Sequence, residues 1–166
     1  MTTAHAPYET DRLLSYLDGQ RRHVLGILEG LDDAALRRPA LPSGWSCLGL
    51  IQHLTLDIER FWFRGVVGGD PAVVEEEADA WSVAPDEPAE TVLAAYRDEV
   101  ERSNQIIRAT SLDAAPASWP VALFGEWRLD DLGEVLLHVM AETAVHAGHL
   151  DAARELIDGR QWRVLT

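Results

Sequence analysis

Four polar side chains near the end of the chain share one face of a predicted helix: His138, Glu142, His146 and His149. At about 100° per residue they fall within roughly 80° of one another around the helix axis. The rest of this helix is largely apolar, so the polar stripe borders the core, where unpaired carboxylates and imidazoles are costly. Two arrangements would satisfy it: hydrogen bonds at the core edge, or a divalent cation bound by Glu142 and His146, which lie one turn apart.

A cation bound by this pair needs a further ligand from another helix, because one helix face rarely supplies three ligands in tetrahedral geometry. The chain has three other histidines, His5, His23 and His53. His5 lies near the chain terminus, where fraying is expected, and His23 follows two arginines on a predicted polar face. His53 lies at the border of the apolar arc of another predicted helix, so we expect it to lie close to Glu142 and His146.

Hydrophobic periodicity predicts the helices that must position these residues. The four predicted helices cover residues 9–31, 46–67, 88–110 and 130–157. The second carries His53, with Asp57 one turn further on, and the fourth carries the polar stripe. The predicted fold is therefore an all-α four-helix bundle, with a long crossover between the second and third helices that lets them run parallel.

The segments between these helices show no clear period. Residues 32–45 contain two prolines and a Ser-Gly pair, which predict a connector rather than an element. Residues 111–129 are apolar and irregular, which fits either a small hairpin or a packed loop, and Asp130 is expected to cap the last helix. Trp81, in the crossover, is expected to anchor that segment on the bundle or to roof a pocket.

The second helix has an apolar arc that defines part of the predicted core. Its members are Cys47, Leu50, Ile51, Leu54, Ile58, Phe61 and Trp62. Cys47 is the only cysteine, which excludes an internal disulfide and fits a reducing compartment. Its place in the arc predicts a buried, inert thiol rather than a nucleophile.

Length and charge limit the classes of function. A chain of 166 residues suits a single domain. Its 28 acidic and 14 basic residues give a formal charge of −14, which repels phosphate backbones and anionic lipid headgroups. We therefore expect no nucleic-acid partner. No signal-peptide pattern or apolar run of membrane-spanning length is present, so no membrane association and a cytoplasmic location are expected.

Two segments together resemble a known family. Residues 142–149 read ETAVHAGH and residues 49–53 read GLIQH, and the resemblance is to the DinB-like metal-binding four-helix bundles over nearly the whole chain. The commoner family pattern has His where this chain has Glu142. The His, Glu, His combination is similar to that of the mycothiol-dependent maleylpyruvate isomerase and its relatives. By position, the resemblance implies His53, Glu142 and His146 as the metal ligands.

The resemblance also implies an activity: transfer of a low-molecular-weight thiol, such as mycothiol or bacillithiol, onto a small electrophile. Zn²⁺ is the expected metal, with Ni²⁺, Fe²⁺ or Mn²⁺ as alternatives, because two imidazoles and a carboxylate discriminate poorly among them. His149 and Asp57 are the candidate catalytic residues, as proton carriers or as groups that orient ligand imidazoles. His138 is expected to lie behind the ligands or to face substrate.

Two alternatives to the transferase activity remain open at this point. The same ligands would support metal-assisted hydrolysis with water in the fourth position. A non-catalytic bundle with a structural metal, or with a hydrogen-bonded stripe and no metal, would show the same pattern. A homodimer is a further expectation, since helical bundles often bury a leftover apolar face between copies.

Overall fold

The computed structural model describes residues 6–162, and His5 lies outside this range. The described residues form α-helices and one π-helix, without a strand, which confirms the all-α prediction. The elements are α1 (Ala6–Leu28), α2 (Asp33–Arg37), α3 (Cys47–His53), a π-helix (Leu54–Val67), α4 (Pro71–Val74), α5 (Ala89–Ala109), α6 (Val121–Phe124) and α7 (Leu132–Asp158). Among these helices, none combines the length and apolarity needed to cross a membrane.

The long helical segments pack in a way that brings the second and fourth predicted helices together. Helix α1 lies against α7, α5 lies against the π-helix, and α7 contacts both α3 and the π-helix. The side chains at the centre of this packing are fully buried and aliphatic or aromatic: Leu17, Ile27, Leu50, Leu54, Phe63, Tyr96, Leu136 and Leu150. Burial of these side chains fixes the faces that α3 and α7 turn toward each other.

The second predicted helix changes its winding at Leu54. Helix α3 begins with Ser46, whose hydroxyl accepts from the Gly49 amide at 3.0 Å. From Leu54 the chain continues as a π-helix with i→i+5 hydrogen bonds. Because each turn then contains about four to five residues, the residues that face the core differ from those that an α-helix would bury. The predicted core position Phe61 is consequently only half-buried, whereas Phe63, absent from the predicted arc, is fully buried.

The π-helical winding also buries the carboxylate of Glu59, which pairs with Arg21 of α1. Arg21 is itself buried, so the prediction that it lies on a polar face is wrong. Arg21 is 3% exposed and makes a two-pronged ion pair with Glu59, with N···O distances of 2.7 and 2.6 Å. The same guanidinium donates to Asp18 at 2.8 Å and to Asn104 at 2.7 Å. A buried charge is tolerated when it is paired and hydrogen-bonded, so this cluster joins α1, the π-helix and α5.

Helix α7, which carries the polar stripe, has its N-cap one residue later than predicted. Asp131, not Asp130, is the N-cap, and its carboxylate accepts from the Glu134 amide at 2.9 Å. The Asp130 amide instead donates to the Glu134 side chain at 2.7 Å. At the other end, Arg154 donates to the carbonyl oxygens of Ile27 and Glu29 at 2.8 and 3.0 Å. These contacts tie α7 to the end of α1.

Short helices occupy segments that were predicted as irregular. Residues 32–45 contain α2, so the prediction of a connector without an element is wrong there; Asp32 caps this helix by accepting from the Ala35 amide at 2.8 Å. The predicted crossover contains α4, capped by Asp70. Residues 111–129 contain α6 and no strand, so of the two alternatives the packed loop is correct and the hairpin is wrong.

Candidate metal centre

Two histidines from different helices are in contact at the side of the core. His53, the last residue of α3, and His146 on α7 have ring centroids 4.9 Å apart, at an interplanar angle of 78°. Their side chains are only 13% and 12% exposed. The structure therefore brings together one predicted ligand from the second predicted helix and one from the fourth.

Asp57 lies one turn beyond His53 and fixes the orientation of its ring. The Asp57 carboxylate is 2.8 Å from Nδ1 of His53. Nδ1–H then donates a hydrogen bond to the carboxylate, and the lone pair of Nε2 remains available to bind a metal ion. A carboxylate behind a histidine in this way is the usual support of a metal-binding imidazole.

Glu142 stands on α7 one turn before His146. Its Oε2 lies 3.8 Å from Nε2 of His146, and its side chain is 42% exposed. Two ligands of one Zn²⁺ ion lie at most about 4 Å apart, because each bond is about 2.0–2.1 Å long. The distance is compatible with a shared ion. Within residues 6–162, however, no three His, Cys, Asp or Glu side chains already form a group that could hold a metal.

Burial lowers the pKa of two histidines of this region, His146 and His138. The pKa of His146 is lowered to about 4, first by burial and then by the neighbouring His53, while Glu142 opposes the shift. The pKa of His138 is also lowered by burial, again against the influence of Glu142. Neutral imidazole is the form that binds metal, so His146 is in its binding form at neutral pH.

His149 is the exposed member of the stripe. Its Nδ1 lies 3.4 Å from Nδ1 of His146, and its ring centroid is 6.0 Å from that of Trp45. This position gives His149 access to solvent on one side and to His146 on the other. A proton released beside His146 could be carried away through this imidazole.

Trp81 roofs the His53 side of the site. Its ring stacks on His53 with centroids 4.1 Å apart and an interplanar angle of 17°. Gln52 supports the loop that carries Trp81 by donating to the carbonyl oxygens of Asp79 at 3.0 Å and Ser82 at 2.8 Å. Sequence reasoning missed Gln52, since a single amide between Ile51 and His53 gives no local signal of such a role.

His138 lies at the opposite end of the stripe, against aromatic rings. Its ring centroid is 4.6 Å from that of Trp62 and 5.5 Å from that of Trp127. We call the surrounding rings the aromatic cluster; it consists of Phe61, Trp62, Trp119, Phe124 and Trp127. Within this cluster the ring centroids of Trp119 and Trp127 lie 5.7 Å apart.

The other histidine and cysteine candidates have separate roles. His23 pairs with Asp151 at 2.8 Å and stacks on Trp162 at 4.7 Å. The Cys47 thiol is buried, and burial raises its pKa to about 11. This confirms Cys47 as an inert core thiol. A separate cavity of about 350 Å³ lies between Gln52, Thr91 and their neighbours, and the five predicted site residues are not among its lining side chains.

Comparison with known proteins gives one match. The sequence model of a family described as mycothiol-S-transferase matches residues 12–159. A search of curated proteins found no match. A search of solved structures also found none. The family match spans all four long helical segments, including both helices that carry the candidate ligands.

Proposed function

Because this chain belongs to the mycothiol-S-transferase family, within the DinB-like superfamily, we propose that it is a metal-dependent thiol S-transferase. It transfers a low-molecular-weight thiol of the mycothiol or bacillithiol type to a small electrophile. The observation that carries this proposal is the contact between His53 and His146, with centroids 4.9 Å apart, beside the Glu142 carboxylate.

In this proposal His53, Glu142 and His146 hold one divalent cation, most simply Zn²⁺, with Ni²⁺, Fe²⁺ or Mn²⁺ as alternatives. The donor set fits, because two neutral imidazoles and a carboxylate are ordinary zinc ligands and leave a position open. The half-exposed Glu142 side chain turns to complete the site. The Asp57 carboxylate accepts a hydrogen bond from Nδ1–H of His53 and so leaves the Nε2 lone pair free for the cation.

The chemistry that a cation supplies there is a lowered pKa for a bound thiol, so that the thiolate is present near neutral pH. His149 receives the thiol proton and passes it to solvent. The thiol sulfur then forms a bond to the electrophilic carbon, and the leaving group departs with the electron pair of the bond that breaks. Trp81, stacked on His53, shields this side of the site from water.

The remaining expectations follow the same proposal. The four long helical segments form the DinB-like bundle, with residues 68–88 as the crossover. The partners are a small electrophile and a thiol, without nucleic acid or membrane, and the protein acts in the cytoplasm, where such thiols are kept reduced. Two copies of the chain associate as a homodimer in this proposal.

The direct test uses purified full-length protein loaded with Zn²⁺ and mixed with mycothiol and 1-chloro-2,4-dinitrobenzene. We expect release of chloride and a thioether conjugate, lost in Glu142→Gln and on chelation, with the same rate for the distant control Glu90→Gln. A product that contains oxygen from solvent, formed at a rate independent of added thiol, would show that the protein is a hydrolase instead. Bound metal without any conversion of several electrophiles would leave a non-catalytic metal-binding protein.

A further inference from the structure

The end of the polar stripe at His138 has a different chemistry from the candidate metal centre. In the described part of the chain, the ring nitrogens of His138 have no hydrogen-bond partner, although the side chain is only partly exposed. Its nearest ring neighbours, Trp62 and Trp127, make ring contacts with it and form no hydrogen bond to its nitrogens. A half-buried imidazole without a partner has a donor and an acceptor left for a ligand.

The aromatic cluster beside His138 is incompletely buried. Trp127 is 45% exposed, and the neighbouring Val121 and Leu123 on α6 are 62% and 65% exposed. Exposed apolar surface beside a ring cluster is a known feature of binding sites. Trp62 is 3% exposed and lies at the base of the cluster, so the rings form a wall with a buried base and an open edge.

The distance along α7 links this wall to the reaction centre. His138 precedes Glu142 by four residues, which is about 6 Å along a helix. A single aromatic ring is of similar length. A ring that lies on the wall therefore places a ring substituent or ring carbon beside Glu142, one turn before His146.

We infer that the aromatic cluster and His138 bind the ring of an aromatic electrophile whose activating group, a nitro or carbonyl oxygen, accepts a hydrogen bond from His138. This deepens the proposed function, on which its catalytic meaning rests, by naming the substrate class. Edge-to-face and offset ring contacts supply the affinity for the ring. The His138 N–H distinguishes activated rings from plain hydrocarbons, because the hydrogen bond forms only with an acceptor.

Binding is tested without metal and without thiol, so that it is independent of catalysis. The probe is 1,3-dinitrobenzene, which has the acceptor oxygens but no leaving group, and m-xylene serves as the matched ring without acceptors. The readout is the set of indole N–H signals in ¹H–¹⁵N spectra of the full chain, which has six tryptophans. Single Trp→Phe variants assign the signals.

We expect saturable shifts of the Trp62, Trp119 and Trp127 signals, while Trp162, which stacks on His23, stays in place. Trp127→Ala should weaken binding of both probes by about 2- to 10-fold, the size of a lost ring contact. His138→Phe keeps the ring and removes the donor, so it should weaken dinitrobenzene by about 2- to 10-fold and leave m-xylene unchanged. Trp162→Phe is the matched control and should change neither affinity.

Three results would overturn this inference. They are the absence of a saturable shift in the cluster signals, probe affinities in Trp127→Ala equal to those of the wild type, and an equal effect of His138→Phe on the affinities for both probes. Failure of the proposed function gives a different pattern. A protein that binds dinitrobenzene on the wall but forms no thiol conjugate retains the binding site and loses the S-transferase assignment. If Trp127→Ala and His138→Phe both form conjugates at the wild-type rate, the S-transferase function stands and the proposed ring-binding site is rejected.

Discussion

The imidazole of His53 lies edge-on to that of His146, with ring centroids 4.9 Å apart. One ring ends α3 and the other lies on α7, so their contact depends on the packing of two helices that are distant in sequence. The carboxylates that accompany them differ in place: Asp57 lies behind His53, and Glu142 lies beside His146.

Asp57→Asn should weaken Zn²⁺ binding by about 10- to 100-fold, the usual effect of losing a carboxylate behind a ligand histidine. Asp57 is 48% exposed, so the melting temperature of the metal-free protein should change little. Titration calorimetry with Zn²⁺ measures the affinity. The chain offers a matched control in its other His–Asp contact, His23 with Asp151, also at 2.8 Å; Asp151→Asn should bind zinc as the wild type does. Equal losses in both variants would contradict the role of Asp57.

Gly49→Ala should displace the loop that carries Trp81. A Cβ at this position would lie 2.4 Å from the Trp81 carbonyl oxygen, a backbone atom that cannot turn away. We expect a loss of about 1–3 kcal/mol in the free energy of unfolding, together with a red shift of tryptophan emission as Trp81 leaves His53. Gly148→Ala in α7 is the control, because nothing lies within 4 Å of its added Cβ. It should stabilise the protein by about 0.5–1 kcal/mol. If Gly49→Ala also stabilised the protein, the Trp81 carbonyl would not lie against Gly49 as described.

Glu59→Gln should cost about 3–5 kcal/mol in the free energy of unfolding, because Arg21 would lose its buried counter-charge and keep only the partly exposed Asp18 carboxylate. Both side chains are nearly inaccessible, at 3% and 1% exposure. Urea denaturation followed by circular dichroism measures the change. Glu90→Gln removes the partner of Arg97 in an exposed pair of similar length, 2.7 Å, and should cost less than about 1 kcal/mol. Similar costs in the two variants would show that the buried cluster does not stabilise the π-helix.

Stability should decline above about pH 9 because of Cys47. Burial raises the pKa of its thiol from 9.0 to about 11, so in that window the unfolded chain loses the proton while the folded chain keeps it. The contribution is complete below pH 9 and is lost as the pH rises, by about 2–3 kcal/mol in total. The measurement is the difference in unfolding free energy between wild type and Cys47→Ala at pH 8 and pH 10.5. A difference that does not narrow over this range would contradict the buried-thiol assignment.

Much of the candidate site could be predicted because α7 keeps a strict α-helical period. The stripe from His138 to His149 follows from spacing alone, and its place at the core border follows from the apolar residues around it. The contact of His53 with His146 required only that two amphipathic helices bury their arcs against each other. The family resemblance then gave roles to these residues, and the helix packing placed the two rings side by side.

The π-helix could not be predicted in the same way. Apolar residues every four positions, as in Leu54, Ile58 and Trp62, fit both an α-helix and a π-helix, and only the buried set distinguishes them. Glu59 is buried because Arg21, from another helix, pairs with it, and no local pattern announces such a pair. The Trp81 loop lacks a period altogether. By contrast, the sequence does contain a local signal for α2 and α4, since each begins after an aspartate N-cap, Asp32 and Asp70.

The central claim is that His53, Glu142 and His146 hold one cation, and X-ray absorption at the zinc edge of the zinc-loaded full chain tests it most directly. The expected spectrum shows two imidazoles and further oxygen ligands at about 2.0–2.1 Å, without sulfur. His53→Ala and His146→Ala should each lose one imidazole from the zinc shell. A sulfur ligand from Cys47, or an imidazole count unchanged by both substitutions, would contradict the account.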